Sequence, residues 1–356
     1  MIRYLRQEEK RDTLPLWREA FPEDSESFLE YYYREKARDN RILAAVDEEG
    51  RRIEAMVHLN PYRVRAGVQV WDTDYIVAVA TARDRRRRGL MRSLLSRALE
   101  DLYREERGFC FLMPANVMIY EPFDFVTVCR QPSWTLEPEM ETAAGKVRVP
   151  RDGLDAAWAA QWMNRWLEER YQVFALRTPE YVERLLKELE SEAGWMEALT
   201  VSREDGGRGK EEQTVEGLRC WWGEEKKEQR MLLTRDEWLK PQKDKAPVIM
   251  ARIIHLKTFM TAIRLRSCQK GTAPLTVRLT VEDGLCRGNN GVFLWKIGPD
   301  TSGICPWEAG MEAVESLEVT IAELTGWLFG QEDAAAAAPW MRKVQVLSGV
   351  FLDEIV

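Results

Sequence analysis

Residues 76–103 read IVAVATARDRRRRGLMRSLLSRALEDLY. The run Ile76-Val77-Ala78-Val79-Ala80 is short, apolar and β-branched, as a buried strand is. A polar stretch follows, ending in four arginines, Arg85 to Arg88, and then Gly89. Beyond the glycine, Leu90, Met91, Leu94, Leu95, Ala98 and Leu102 recur at helical spacing. Strand, basic loop, glycine and helix together make a place for a pyrophosphate. The first turn of a helix has N–H donors without partners and the positive end of the helix dipole. Gly89 lets the backbone approach phosphate oxygens without a side chain in the way, and the arginines add charge around those donors. The same run also reads as a solvated arginine face between an ordinary strand and an ordinary helix.

Working outward, residues 13–21 and 25–37 read as two short helices. Asp24 and Ser25 are positioned to cap the second, whose apolar side is Phe28, Leu29, Tyr32 and Tyr33. Residues 42–47 and 52–59 form a hairpin around Glu48-Glu49-Gly50, and a strand pair over 62–71 turns at Ala66-Gly67. After the long helix, 108–113 is a buried strand, 118–120 a helical turn and 125–137 strand again. Within 114–125, PANVMIYEPFDF, Tyr120 stands out. A phenol within hydrogen-bond reach of a departing group can supply it with a proton. It reads equally as a core tyrosine clustered with Phe123 and Phe125.

Composition excludes several classes of function. The chain has 356 residues, 45% hydrophobic and 31% charged, with a net charge of −7, enough for two or three domains. A chain this acidic is not a general nucleic-acid binder, whatever its arginine cluster, and the balance suits a cationic substrate. Six cysteines lie scattered without C-x-x-C pairs, and the histidines are only His58 and His255. That argues against a metal site and against a disulfide scaffold, and for a reducing, cytoplasmic location. The start, MIRYLRQEEKRD, is charged throughout, so no signal peptide is expected. No apolar run approaches the roughly 20 residues of a membrane helix.

The pattern changes beyond 137. Residues 138–152, with Pro138, Gly145 and Pro150, read as a linker. Helices follow over 153–168, with a stripe of Trp158, Trp162 and Trp166 read as core, and over 179–191 on Val182, Leu185, Leu186 and Leu189. Strands near 195–201 and 215–222 flank SREDGGRGKEEQT. The glycines there have the wrong spacing for a nucleotide-binding loop, and Glu211 stands where Ser or Thr must ligate magnesium; the segment reads as a hairpin tip. A third region opens near Ala246 with strand 249–256, helix 257–266, and strands 275–283 and 291–297 around Gly288-Asn289-Asn290-Gly291. Strand 317–321 and helix 322–329, ending at Gly330, precede the low-complexity run Ala334 to Ala338 and the apolar terminus GVFLDEIV.

Arg86-x-x-Gly89-x-Met91 resembles the acetyl-CoA motif Q/R-x-x-G-x-G/A of the GNAT acetyltransferase superfamily, with Met91 in place of the last small residue. Tyr120-Glu121-Pro122-Phe123-Asp124-Phe125 is similar to its Y-x-x-x-G-F, with Asp124 for the glycine. Over its full length the chain resembles the Eis-type (enhanced intracellular survival) N-acetyltransferases. The resemblance implies an α+β fold of mixed helix and strand: a GNAT domain over 1–137, a second, degenerate GNAT-like domain over 138–245, and a sterol-carrier-like domain over 246–356. It implies direct acetyl transfer from acetyl-CoA, without a metal, to an amine: a polyamine, an aminoglycoside or a lysine-like acceptor, small molecule or peptide. Backbone groups of Val79, Ala80 and Thr81 would meet the pantetheine arm. Arg86, Arg87, Arg88, Gly89, Leu90 and Met91 would hold the pyrophosphate. Tyr120 would be the general acid and the terminal carboxylate of Val356 the general base. Asp24, Tyr32 and Glu354 are acceptor-side candidates, because carboxylates and aromatic faces attract ammonium groups. The resemblance also implies a homo-oligomer, with a hexamer in view; charge and the lack of a long apolar run lead us to expect no nucleic-acid and no membrane partner. The competing expectation is a lipid or other ligand carrier on a degenerate GNAT scaffold, marked by a dry pocket behind 275–297.

Overall fold

A computed structural model describes residues 1–50, 52–131, 133–149, 153–204, 211–223, 228–242, 247–266, 273–331 and 338–354. Its centre is a mixed sheet with strands in the order Ile2–Tyr4, Arg41–Val46, Ile53–Ala66, Gln69–Thr81, Phe109–Leu112, Val248–Ile253 and Val126–Arg130. The expected breaks near 60 do not occur. Ile53–Ala66 and Gln69–Thr81 are single long strands joined at Gly67-Val68, with Gly67 at φ 60°. Pro61 lies within the first of them and does not break it.

The two faces of this sheet are covered by different helices. Leu16, Trp17, Phe28, Leu29 and Tyr32, from helices Leu14–Ala20 and Glu26–Tyr31 and the turn after them, pack on Met56, Ala78 and Ala80. Helix Leu90–Arg104 packs Leu94, Leu95, Ala98, Leu99 and Leu102 on Ala55, Val57 and Ile76 on the other face.

A four-stranded sheet, Glu228–Thr234, Glu211–Trp222, Trp195–Glu204 and Gly145–Arg148, is backed by helices Gly153–Glu168 and Pro179–Ser191. The linker expected over 138–152 is therefore corrected in its described part. Pro138–Ala143 is helical and Gly145–Arg148 is an edge strand paired with 197–200. Gly145 marks close approach here, since a Cβ would sit 2.5 Å from Thr200 Oγ1. The tryptophan stripe is corrected as well. Trp158 is exposed and only Trp166 is buried, while Ala156, Ala159, Ala160, Met163 and Leu167 form the inner face. Small residues let the helix pack closely, and the larger rings are left to its margins. The glycine-rich tip at 205–210 lies outside the described residues, as do 334–337.

The third region holds a sheet ordered Ser302–Pro306, Gly291–Ile297, Leu275–Glu282 and Glu315–Thr320, covered by helix Ile321–Leu328. Residues 257–266 are mostly not α-helix: Leu256–Phe259 is α, Met260–Ala262 is 3-10, and Arg264–Leu265 is strand. The expected strand 125–137 is likewise two pieces, Val126–Arg130 in the central sheet and Trp134–Leu136 paired with Leu239–Pro241.

The three regions interlock through the central sheet. Val248–Ile253, the first strand after the boundary expected at 246, lies between Phe109–Leu112 and Val126–Arg130. Val173–Ala175 of the middle region pairs with 64–66, and Val350–Phe351 pairs with it in turn.

Candidate functional site

The strand Gln69–Thr81 is bulged. Met56 pairs with Ala80 and His58 with Val77, so Ala78 and Val79 together oppose Val57 alone. Ala78 takes up the extra residue at φ 49°. A bulge reverses the in–out alternation beyond it, which is why Ile76 and Val79, three apart, both contact the core under helix Leu90–Arg104. On its other edge this strand pairs in parallel with Phe109–Leu112 only at Tyr75 and Ile76. From Val77 to Thr81 that edge has no ladder partner among the described residues. It leaves a wedge with backbone N–H and C=O groups facing it.

At the mouth of the wedge the chain turns through Arg83–Arg85, passes Arg87 at φ 63° and reaches Gly89 at φ 77°, the N-cap of helix Leu90–Arg104. No side chain caps this helix. Ser93 N–H reaches the Gly89 carbonyl, so the N–H groups of Leu90, Met91 and Arg92 precede the first intrahelical bond and keep their donor capacity. Arg85 is held by Glu54 at 3.0 Å, and Arg86 Nε donates to the Thr81 carbonyl at 3.3 Å. Arg86, Arg87 and Arg88 are exposed. The residues thus fit an anionic ligand with an extended arm: free donors, uncompensated cations and an unpaired strand edge converge.

Tyr120 lies between two 3-10 turns, Val117–Ile119 and Glu121–Phe123, and shares one apolar cluster with Ile76, Leu94, Leu95 and Phe123. Its ring meets that of Phe125 edge-on at 6.1 Å. Burial pushes the phenol up to about 12, so at neutral pH it keeps its proton. Asp124, in the place of the motif's glycine, adopts φ 61°, which Asp tolerates better than most residues. Arg92, in the first turn of the helix, lies 5.2 Å over the Phe123 ring.

A second hollow opens beside this wedge. A cavity of about 340 Å³ is bounded by Asn60, Tyr62, Leu176, Tyr181, Glu188 and Glu354, among others. Glu354 is 2% exposed. Its Oε1 accepts from Arg177 at 2.7 Å and from the Tyr181 hydroxyl at 3.2 Å. Burial raises its carboxyl above the ordinary carboxylate range, against the pull of Arg177. Arg177 also pairs with Asp353 and stacks at 4.4 Å over the Tyr181 ring. Lys36 lies 3.4 Å from Glu188 and 3.3 Å from the Tyr62 hydroxyl. Burial lowers its pKa, but Tyr62, Glu188 and Glu354 outweigh that and hold it charged.

Of the residues singled out in the sequence, the structure gathers Val79, Ala80, Thr81, the loop 86–91 and Tyr120 around the wedge. It places Glu354 at the cavity. Tyr32 is fully buried, its hydroxyl bonded to Asn60 at 3.0 Å, to Asn40 at 3.2 Å and to His58 at 3.1 Å. Asp24 accepts from the Trp17 indole at 2.6 Å, and it does not line the cavity. Val356 lies outside the described residues. Among those residues, no group of three or more His, Cys, Asp or Glu is arranged to hold a metal, and no helix is long and apolar enough to cross a membrane.

Residues 1–128 match the family model described as the acetyltransferase (GNAT) domain. That span holds the wedge, the arginine loop and Tyr120, so the chain carries a GNAT acetyltransferase domain. Several solved structures match the whole chain. One, from Enterococcus faecalis and described as a conserved protein of unknown function and probable N-acyltransferase, is 15% identical with TM-score 0.76, covering 99% of each chain. A GCN5-related N-acetyltransferase from Kribbella flavida is 14% identical with TM-score 0.74, covering 100% of this chain and 98% of its own. Eis1 from Mycobacterium abscessus is 14% identical with TM-score 0.63, covering 100% of both. At such identities the likeness is one of fold. No curated protein sequence matches.

Sequence reasoning missed Arg252, Arg177 and Lys36. Arg252 sits mid-strand with no exposure. It donates to the Phe123 carbonyl at 2.9 Å, to Asp283 at 2.6 Å and to Asp124 at 3.4 Å. Its signal was available: an arginine inside the apolar run Ile249-Met250-Ala251-Arg252-Ile253-Ile254 must have buried partners. Arg177 and Lys36 gave no such sign.

Proposed function

We propose that this protein is an acetyl-CoA-dependent N-acetyltransferase that moves the acetyl group directly to an amine. The observation that carries the reading is the meeting of an unpaired strand edge, an uncapped helix start and a protonated phenol at one wedge. Backbone groups of Val79, Ala80 and Thr81 bind the pantetheine arm as an added strand. The loop Arg86 to Met91 holds the pyrophosphate. In the step itself a bond forms between the amine nitrogen and the acyl carbon, and the carbon–sulfur bond breaks. Tyr120 donates its proton to the departing thiolate, and a carboxylate takes the proton the amine loses. The terminal carboxylate of Val356 is the proposed base, two residues beyond Glu354 at the cavity wall.

The finer architecture belongs to the same proposal: the helix-backed sheet of 145–234 as a degenerate second GNAT-like domain, the sheet of 275–320 as a sterol-carrier-like one, and a cytoplasmic homo-oligomer such as a hexamer. A cavity lined by charge suits an amine acceptor better than the lipid of the carrier alternative. The test is a melting curve with acetyl-CoA. At a hundred times the dissociation constant, binding stabilises the folded state by about 2.7 kcal/mol. No shift at millimolar acetyl-CoA would end the transferase reading.

A further inference from the structure

The last residues of a chain usually fray. Here residues 350–354 are fastened, chiefly by the helix-backed region 153–234. Val350–Phe351 pairs in parallel with Val173–Phe174, and the Phe351 ring packs on Tyr171 at 4.9 Å and on Trp166 at 6.0 Å. That register, carried on, brings Glu354 level with Arg177. The Arg177 guanidinium donates to Glu354 at 2.7 Å and to Asp353, and Arg230 donates to the Asp353 carbonyl at 3.1 Å.

Arg177 is itself held from behind. Asn164, on helix Gly153–Glu168, accepts from the Arg177 N–H at 2.9 Å and donates to its carbonyl at 2.7 Å. The Tyr181 ring lies 4.4 Å from the guanidinium, and its hydroxyl donates to the same Glu354 oxygen at 3.2 Å. The Arg177 side chain has no exposure. A buried ion pair is a poor way to gain stability, because its desolvation offsets its attraction and apolar residues of similar volume often do as well. What a rigid fork of donors gives is direction. This one holds two successive carboxylates, Asp353 and Glu354, and so turns the end of the chain along the cavity wall that Glu354 lines.

We infer that Arg177 is a positioning residue for the transfer: through Asp353 and Glu354 it fixes the chain end, and so gives the terminal carboxylate that takes the amine's proton a fixed point to start from. The inference rests on the transferase reading above. It gives the region 153–234 a task in the reaction, although the wedge is built from residues 69–125.

The experiment compares the parent with Arg177→Met, with a chain lacking residues 353–356, and with the two changes combined. Turnover is followed by thiol release from acetyl-CoA with spermidine, kanamycin and a lysine peptide. Melting curves with acetyl-CoA and hydrogen exchange are recorded on the same preparations. A general acid or base contributes about 10²–10⁴-fold. The shortened chain should lose kcat of that order, and Arg177→Met at least about tenfold, with the KM and melting shift for acetyl-CoA kept. In Arg177→Met the amides of 350–354 should exchange faster while helix 153–168 stays protected. The combined form decides. Once the chain end is gone, Arg177→Met should lower kcat no further, because the arginine acts only through it, whereas a merely structural arginine would lower kcat in both backgrounds alike. In that form neither member of the Arg177–Glu354 pair is left alone, so folding is no obstacle. Should Arg177→Met itself unfold, Arg177→Lys, which keeps the charge but not the fork, replaces it with the same expectations. The inference is overturned if kcat is unchanged by the arginine substitution or by the shortening, if the substitution costs as much in the shortened chain as in the full one, if residues 350–354 stay as protected as before, or if a protein that binds acetyl-CoA acetylates none of the three amines. Absence of a melting shift in the parent would instead overturn the transferase reading, and this inference with it.

Discussion

The wedge and the cavity are built in opposite ways. The wedge is assembled from near neighbours in sequence: strand, loop and helix over 69–104, with Tyr120 shortly after. Its cations at 86–88 stand exposed, and its helix start is uncapped. The cavity draws Lys36, Asn60, Tyr62, Tyr181, Glu188 and Glu354 from places scattered along the whole chain, and most of its charges are internally matched. A site of free donors binds by charge and backbone and asks only for phosphates and an extended arm. A site of compensated charge discriminates, because a ligand must replace what it disturbs. The contrast assigns general recognition to the first and selectivity to the second.

The largest effect expected concerns the chemistry between them. General acid catalysis contributes about 10²–10⁴-fold, so Tyr120→Phe should lower kcat by that order. It should leave the melting shift with acetyl-CoA unchanged, because the phenol oxygen is no part of the phosphate cradle. Steady-state kinetics and melting curves on one preparation check both. A Tyr120→Phe enzyme with undiminished kcat would move the acid elsewhere and undo the division of labour.

Next comes Arg252, through which the third region reaches the Tyr120 turn. Its pair with Asp283 is fully buried on both sides. Removing one member of such a pair costs about 3–5 kcal/mol, because the other charge is left alone, whereas replacing both by apolar residues is often neutral. Arg252→Met should therefore lose stability of that order in urea unfolding, and Arg252→Met with Asp283→Leu should recover only part of it, because Asp283 also accepts from the Leu285 and Cys286 N–H groups and from the Asn289 amide. Turnover should not recover in the double variant. The hydrogen bond to the Phe123 carbonyl and the contact with Asp124 are gone in both, and these fix the turn that carries Tyr120. Full activity in the double variant would reduce Arg252 to a structural residue.

This difference in construction also explains what the sequence could tell. Gly89, the arginine run and the apolar positions of 90–102 lie within a few turns of one another, so periodicity and glycine placement suffice to find the wedge. Helices 153–168 and 179–191 were legible for the same reason, and the structure has them at those bounds. The bulge at Ala78 was not, because it depends on register against Val57. The insertion of Val248–Ile253 between two strands far upstream was not either, since strand signals do not name their partners. Tyr32 reads as an acceptor-side residue by its type, and only the packing of Trp17, His58 and Asn60 around it shows it to be buried. Glu354 was legible as a carboxylate near the chain end but not as the partner of Arg177.

A pH experiment sharpens the comparison from the buried side. His58 is fully enclosed on the strand that carries Asn60, and burial, with Lys10 nearby, lowers its pKa to about 3. The unfolded chain protonates this ring below about pH 6.5, and the folded one does not until near 3. Stability is therefore whole above 6.5 and is lost as pH falls through that window, by up to about 1.4 kcal/mol per pH unit. Urea titrations at pH 6 and pH 5 should show this slope, and His58→Gln should flatten it by about one proton. An unchanged slope in the variant would place the acid sensitivity elsewhere.

The smallest effect, and the most selective, is at Gly89. Its φ of 77° is one that L side chains avoid, yet a Cβ built there meets nothing within 4 Å. Gly89→Ala therefore brings backbone strain without a clash, and the left-handed conformation costs about 1–2 kcal/mol for a residue with a Cβ. If the loop were only a solvated turn, that modest loss of stability would be the whole effect. If it is the phosphate cradle, the open space at Gly89 is where the pyrophosphate comes close, and the new methyl group stands in it. Acetyl-CoA affinity should then fall by more than about tenfold, 1.4 kcal/mol, measured by calorimetry at a temperature where the variant is fully folded. The KM for the acceptor amine should stay as it was, because the cavity is built from other parts of the chain. A variant that loses stability but keeps its affinity would show that Gly89 shapes the turn without admitting the ligand. The assignment of charge recognition to this loop would then rest on the arginines alone.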